Sequence, residues 1–477
     1  MKVPNKFIDR LQFATSEELQ HIHNTSMQIL QNAGVIFNSS EALEIFTKNG
    51  FQHDHGKVLI SEKDVLKALE STPKTFKIQA RNRKNDVWIG NDNFVLLPTV
   101  GAPNVTLLNG EQQPAKIKDF ETCCKLVQSS KHLDMGGWLM VQPHDVPLKT
   151  AHLDMLLNYL TLCDKPLLGA FGDGEMAGDT IKMAMMIFGD QEYLEKNPVT
   201  AFIVNVLSPL QFSEEQVDVI MTAAKYHQPI VISNMALAGS TAPVKIAGLL
   251  SQINAEIMAG LVFSQLIGPG TPVVYGTTSA PMDMKTSISS LGAWETIKIA
   301  SIASQIAQMY EIPSRNGGSL CDSHLPDAQA ATEGSLLLSN SIRNGANFIL
   351  HACGQIASFM AMSFEKWLID EEACSLIKGY LSPLKINKET TNLDIICEIG
   401  STGQYLSHLS TFKHFKELSR PQFLNRDNHE RWKQKGSLDC ANMASKELSK
   451  RLGEFEKPYI DESLEKDLKT FVQKKTL

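Results

Sequence analysis

TAFIVNVL (200–207), PIVISNMA (229–236) and PVVYGTT (272–278) are short apolar runs, rich in β-branched residues, that end in small or polar side chains. Runs of this kind read as buried parallel strands, because both faces of such a strand meet apolar neighbours. Each is followed by a loop and then by a helical pattern, at 213–226, 243–266 and 291–309. The same unit recurs outward in both directions. Upstream lie VLLPTVG (95–101), LDMGGWLMV (133–141) and PLLGAFGD (166–173), and downstream PSRNGGSL (313–320) and NFILHACG (347–354). Their helices fall near 117–129, 148–162, 175–188, 327–343 and 355–369. Eight strands, each followed by a helix, predict a closed α/β structure, a (β/α)8 TIM barrel. The alternative is an open doubly wound sheet, which normally carries a glycine-rich phosphate loop after its first strand; VLLPTVGAPN is not one.

The flanks read differently. Residues 1–90 form a mainly helical N-terminal extension, with helices at Ser16–Asn32, 40–49 and 62–70. The first has a capping-box start at Ser16, in which Glu18 falls one place short of the N3 position. The barrel occupies 91–375, and 376–477 reads as a helical C-terminal extension packed on it.

Composition narrows the class. In 477 residues, 43% are hydrophobic and 20% charged, and the net charge is -7, so no basic footprint for nucleic acid or an anionic membrane exists. The N-terminal twenty residues lack a signal-peptide core. The most apolar stretch, 246–267, is interrupted by Gln252, Asn254, Glu256 and Gln265 and reads as a buried helix rather than a membrane span. Eight scattered cysteines read as reduced thiols. A cytoplasmic location is the expectation.

Barrel chemistry sits at the C-terminal strand ends. Those positions offer Trp138, Gln142 and His144, then Phe171 and Asp173, then Asn205 and Asn234, then Tyr275 and Thr277. The last two strands add Arg315, Asn316, Cys321, Asp322, His324, His351, Cys353 and Gln355. No acid pair, nucleophile elbow, HExxH helix or Walker loop is present. Three readings compete. Cys321, Asp322, His324, His351 and Cys353 could converge on zinc, although they contain no CxxC or HxH pair. Trp138, Phe171 and Tyr275 could form part of an aromatic cage for an organic cation, with His351, Arg315 and the asparagines holding a carboxylate of the same molecule. The blander reading makes the aromatics, Met140 and Cys353 simple packing; His351, ending an apolar strand, still needs a polar partner.

Several segments carry a resemblance. LLNGEQQPAKIKDF (107–120), NVLSPLQFSEEQ (205–216), GSTAPVKIAGLLSQINAEIMAGLVFSQLIGPGTPVVYG (239–276), SLCDSHLPDAQAATEGS (319–335), GANFILHACGQI (345–356) and SRPQFLNRDNHERWKQKG (419–436) resemble the trimethylamine methyltransferase (MttB-like) family of corrinoid-dependent enzymes. The resemblance implies a (β/α)8 barrel and methyl transfer from an amine to the cobalt of a separate corrinoid protein. Founding members carry pyrrolysine, whereas this chain uses only standard residues. That departure points to the branch acting on quaternary amines: glycine betaine, proline betaine, carnitine or γ-butyrobetaine. Proline betaine is the leading expectation, and no residue discriminates among them.

On this reading the ammonium sits near Trp138, Phe171 and Tyr275. His351 holds the carboxylate with Arg315 or Asn316, and Asn205, Asn234 and Gln355 complete the contacts. No cofactor is bound tightly, since cobalamin comes on the corrinoid partner, which docks over the barrel mouth. His408, Thr411 and His414 are candidates to line that mouth. No nucleic acid or membrane is expected, and a homo-oligomer is the default. The rivals are a zinc-dependent methyltransferase barrel for a thiol or alcohol, and a non-catalytic betaine-binding barrel.

Overall fold

Strand β4 (Thr200–Val206) shows how this sequence makes a barrel. Its residues alternate between two faces, and all but Asn205 are buried. Ala201 and Ile203 pack into the barrel interior with Val95, Leu168, Val231, Val274 and Phe348. Phe202 and Val204 pack outward against the helices. Because both faces are apolar, the run shows no alternation in sequence.

The computed structural model describes residues 10–476; the sequence reading of residues 1–9 lies outside them. The other barrel strands are β1 (Val95–Leu96), β2 (Gly136–Gly137), β3 (Leu167–Leu168), β5 (Ile230–Asn234), β6 (Val273–Thr277), β7 (Ser314–Gly317) and β8 (Phe348–Leu350). They pair in parallel from β2 through β8, and β8 then pairs with β1. The remaining seam, β1 to β2, closes through Asp134. Its N–H donates to the Leu96 carbonyl at 2.9 Å, and its Oδ2 accepts from the Leu96 N–H at 3.0 Å. A carboxylate stands in there for a strand carbonyl. β2 is short because its backbone crowds β3: a Cβ on Gly137 would lie 2.2 Å from the Leu168 carbonyl oxygen. Only glycine permits that approach.

Three N-terminal helices, α1 (Ser16–Asn32), α2 (Ser40–Lys48) and α3 (Glu62–Ser71), precede the barrel. The α1 cap is Thr15, one residue earlier than the sequence suggests, which makes Glu18 the N3 partner of a complete capping box. This region is less helical than expected. Val35–Phe37 pairs with Lys57–Val58 and with Gln211–Phe212 from the β4 loop, and Phe37 stacks on Phe212 at 4.9 Å. A hairpin, Phe76–Ile78 with Val87–Ile89, puts four apolar side chains into the interior cluster and forms the barrel floor.

The outer layer contains α4 (Ile117–Ser129), α5 (Ala151–Leu162), α6 (Gly174–Phe188), the short α7 (Gln191–Lys196), α8 (Glu214–Lys225), α9 (Ile246–Ile267), α10 (Trp294–Met309), α11 (Ala328–Arg343) and α12 (Phe364–Leu381). Among the described residues α9 alone is long and apolar enough to cross a membrane, and 83% of its apolar window is buried inside the protein. It packs on α1, α3, α8 and α10, so the buried-helix reading describes it. The last barrel helix begins at Phe364, not near 355, because Gln355–Ile356 and Ala361–Met362 first form an excursion that pairs with Asn104–Thr106.

Beyond α12 run α13 (Leu393–Ile399), α14 (Leu409–His414) and α15 (His429–Gln434), before α16 (Cys440–Gly453) and α17 (Glu462–Thr476) return to the barrel. α16 packs on α12 and α4, and α17 on α5 and α6. Arg451 anchors this return: its buried guanidinium meets Glu371 of α12 and the Leu126 carbonyl of α4, the latter at 2.7 Å.

Candidate active site at the barrel mouth

Register places one polar layer above the apolar interior. Asn205 pairs with Ser233, Ser233 with Gly276, and Gly276 with Arg315. These four positions share the parity of Ile203, Val231 and Val274, so they face the lumen. The Arg315 guanidinium crosses β6 and donates from Nη1 to Ser233 Oγ at 3.3 Å. It can do so because position 276 is glycine; a Cβ there would press within 2.9 Å of the Ser233 Cβ.

Arg315 is 4% exposed. Among the described residues it forms no ion pair, and its Nε has no hydrogen-bond partner. Burial alone pushes its pKa down to about 9, so it stays cationic at neutral pH. A buried charge without a counter-charge costs several kcal/mol, of order 3–5. An anionic ligand would remove that cost.

His351, just past β8, lies close enough to feel this charge. Burial, and then Arg315, push its pKa well below the ordinary value, with Gln355 opposing. The ring is therefore neutral, and its Nδ1 accepts from the Val100 N–H at 3.3 Å, which leaves the proton on Nε2. Its φ is 60°, and the Phe359 ring lies edge-on 5.0 Å away. Phe359 ends three consecutive non-glycine residues with positive φ, Ala357, Ser358 and Phe359. Such strain persists only where surroundings enforce it. Asp322 does so: its carboxylate accepts from the Leu291 and Gly292 N–H groups at 3.0 and 2.9 Å and from Ser358 Oγ at 2.7 Å. One aspartate thus ties together the loops after β6, β7 and β8.

In an eight-membered ring, β3 faces β7. At the β3 end, Phe171 packs against the interior cluster and meets Trp138 edge-on at 4.8 Å and 89°. Both rings line a cavity of about 290 Å³ between the β4 end and the start of α8, with Gly172, Ile203, Val204, Asn205, Glu215 and Gln216; Arg315 and His351 do not line it. Gln216 donates to the Asn205 carbonyl and fixes that wall.

Several expected contacts are corrected. Tyr275 and Asn234 have outward parity. The Tyr275 ring is fully buried in the helix-facing cluster, where burial and then Tyr310 and Glu256 raise its pKa. Asn234 donates to Glu256 Oε2 at 2.9 Å. Glu256 of α9 also accepts from Ser208 Oγ, the Leu210 N–H and Gln252, which makes it a scaffold for the β4 and β5 ends. Asn316 turns outward to the Ala300 carbonyl and Ser304 of α10. Gln355 spans Thr99 and the Ala361 carbonyl as a buried brace beneath His351.

The zinc candidates do not converge. Cys321 Sγ contacts the Gln355 carbonyl at 3.4 Å, Cys353 is buried in the outer layer beside Trp367 and Cys374, and His324 is exposed. Among the described residues no three His, Cys, Asp or Glu side chains are grouped as a metal-ligand set. The polar contacts of His408, Thr411 and His414 stay within residues 398–417. Sequence reasoning missed Phe359, Ser233 and Gln216; the pairing of Arg315 with a small β6 residue, Gly276, was the available signal for the second.

His351 sets a pH dependence. Its folded pKa lies below the unfolded value near 6.5, so below that pH the unfolded chain binds the extra proton. The stability contributed by neutral His351 is present above about pH 6.5 and is lost as pH falls through that range. His351→Gln is expected to flatten the urea-unfolding midpoint between about pH 6.5 and 5 relative to wild type. An unchanged slope would mean that His351 is already protonated in the folded protein.

Fold and site define a TIM-barrel protein with a buried arginine in its lumen layer and an aromatic pair at the end of β3. The description of the trimethylamine methyltransferase (MTTB) family matches residues 1–477, and the chain belongs to that family. It is 33% identical over 468 residues to a glycine betaine methyltransferase of Desulfitobacterium hafniense strain Y51, covering 98% of each chain. It is 29% identical over 484 residues to a proline betaine:corrinoid methyltransferase of Eubacterium limosum, again covering 98% of each. Among solved structures, the Methanosarcina barkeri monomethylamine methyltransferase matches with a TM-score of 0.55 at 12% identity, covering 95% of this chain and 90% of that one, a likeness of fold.

Proposed function

We propose that the protein transfers a methyl group from a carboxylated quaternary amine to the Co(I) corrinoid of a separate protein. The observation that carries this reading is Arg315: a buried guanidinium with no acid partner among the described residues, on the strand opposite the one whose end carries Phe171. A small zwitterion matches both ends. Its ammonium lies against the two rings by cation–π attraction. Its carboxylate takes the guanidinium fork and the Nε2–H of neutral His351.

The chemistry asks little acid–base work of the protein. The C–N bond breaks with its electron pair going to nitrogen, and the quaternary amine departs as a neutral tertiary amine. No proton is needed, in keeping with a lumen layer of Asn205, Ser233, Gly276 and Arg315. The corrinoid, as co-substrate, supplies the two-electron nucleophile. This chain's residues bind, aim one N-methyl group outward and exclude water. Exposed apolar side chains from six mouth loops or their margins, Leu148, Leu207, Met235, Met284, Leu325 and Met360, offer the partner a landing rim.

The test is a panel: glycine betaine, proline betaine, carnitine and trimethylamine, each with Co(I) corrinoid protein, read by corrinoid absorbance. Methylation from the carboxylated amines is expected. Turnover of trimethylamine alone would overturn the substrate class, and calorimetric binding without methylation would favour a non-catalytic barrel. Trp138→Leu keeps apolar volume and removes the π face. It is expected to raise KM for the betaine about tenfold, which is about 1.4 kcal/mol, while that for a neutral isostere used as inhibitor stays level.

A further inference from the structure

Residues 420–443 enclose a cavity of about 400 Å³ beside α12, and none of the strand-end residues described above lines it. Its walls are anchored, although residues 418–428 form neither helix nor strand. The Gln422 N–H donates to Glu372 Oε1 of α12 at 2.7 Å, and Phe423 packs against the core cluster that holds Trp367 and Ala444. Trp432 Nε1 donates to the Leu438 carbonyl at 2.9 Å. Phe423, Trp432 and Leu438 thus supply an apolar lining, and Arg420, Arg426 and Lys435 a cationic one. Among the described residues the lining holds one carboxylate, Asp427, and it is already engaged. Lys435 Nζ lies 2.6 Å from its Oδ2, and Arg431 Nε 3.6 Å from its Oδ1. Arg420 and Arg426 make no hydrogen bond or ion pair among the described residues. Glu372, the other acid that feels Arg426, is buried and accepts the Gln422 N–H.

We infer that this cavity binds a phosphomonoester carried on a planar ring, the chemistry of a mononucleotide. The phosphoryl group meets Arg420 and Arg426, and the ring lies against Trp432. Three features select this class. Residues 419–443 hold five lysines and arginines against three carboxylates, in a chain of net charge -7, so the local field attracts an anion. The two guanidinia are forks without an acceptor, and a phosphoryl dianion offers enough oxygens to engage both, which a single carboxylate does not. The cavity falls in the size range of small-molecule sites, and an indole face accepts a stacked ring whatever its exocyclic groups.

The experiment is calorimetric titration of the full-length protein with AMP, GMP and flavin mononucleotide, beside inorganic phosphate and adenosine. At least one mononucleotide is expected to bind more tightly than either phosphate or adenosine alone. Arg420→Gln/Arg426→Gln is expected to weaken that binding at least tenfold with an unchanged thermal midpoint, since both side chains are exposed and make no contact that holds the fold. Failure of all three mononucleotides to bind overturns the inference. So does binding that the double variant leaves unchanged, or phosphate binding as tightly as the nucleotides, which would mean a site for a bare ion only. Titration needs neither betaine nor corrinoid protein, so this result stands apart from the proposed activity.

Discussion

Arg315→Met is expected to make the empty protein more stable and almost unable to bind its substrate. The guanidinium is buried, keeps one hydrogen bond of 3.3 Å to Ser233, and meets no acid among the described residues. Methionine fills similar space without the charge, so the uncompensated desolvation disappears. Thermal unfolding without ligand should rise by roughly 2 °C or more. Binding should move the other way. A charge-assisted fork to a carboxylate contributes about 1.5–3 kcal/mol, so affinity for a betaine should fall roughly 100-fold. Arg315→Lys keeps the charge and loses the fork, and should fall between the two in binding. Calorimetric melting and ligand titration of the three proteins decide it. A destabilised Met variant would mean that Arg315 serves the empty fold, and unchanged affinity would remove the carboxylate from its neighbourhood.

The same residue shows what was legible in the sequence. The eight strands were readable because β-branched runs with polar ends recur at regular spacing, and the helices between them fall within a few residues of their places. Parity was not readable. In a strand apolar on both faces, such as β4 or β6, composition does not say which residues look inward, so strand-end position alone does not keep Tyr275, Asn234 and Asn316 out of a lumen they face away from. Pairing supplies what composition lacks: Arg315 is aligned with Gly276 and Ser233, and that layer fixes the inward set. Phe359 was hidden for another reason. Its place depends on three left-handed residues held by Asp322 from a different loop, and no local pattern announces such a contact.

A second large effect lies behind His351. Lys366 and Asp370 of α12 are both buried, with Lys366 Nζ 2.7 Å from each Asp370 oxygen. Burial works against the ammonium, and the adjacent carboxylate outweighs it, holding Lys366 above its ordinary pKa. Asp370 also accepts from Ser319 Oγ at 2.7 Å and from the Gly354 N–H at 2.9 Å. Ser319 in turn donates its N–H to the His351 carbonyl at 2.7 Å. The pair therefore pins both loops that flank His351. Asp370→Ala strands a buried ammonium and should cost about 3–5 kcal/mol in urea unfolding. Lys366→Met should cost less, because the carboxyl left behind can take up a proton, and burial already raises its pKa. The double variant Lys366→Met/Asp370→Leu removes both charges and should unfold closer to wild type than Asp370→Ala does. Its betaine affinity should nevertheless stay reduced, since Ser319 and Gly354 have lost the acceptor that fixes them. Recovery of stability together with full affinity would show that the ion pair holds the fold without positioning His351.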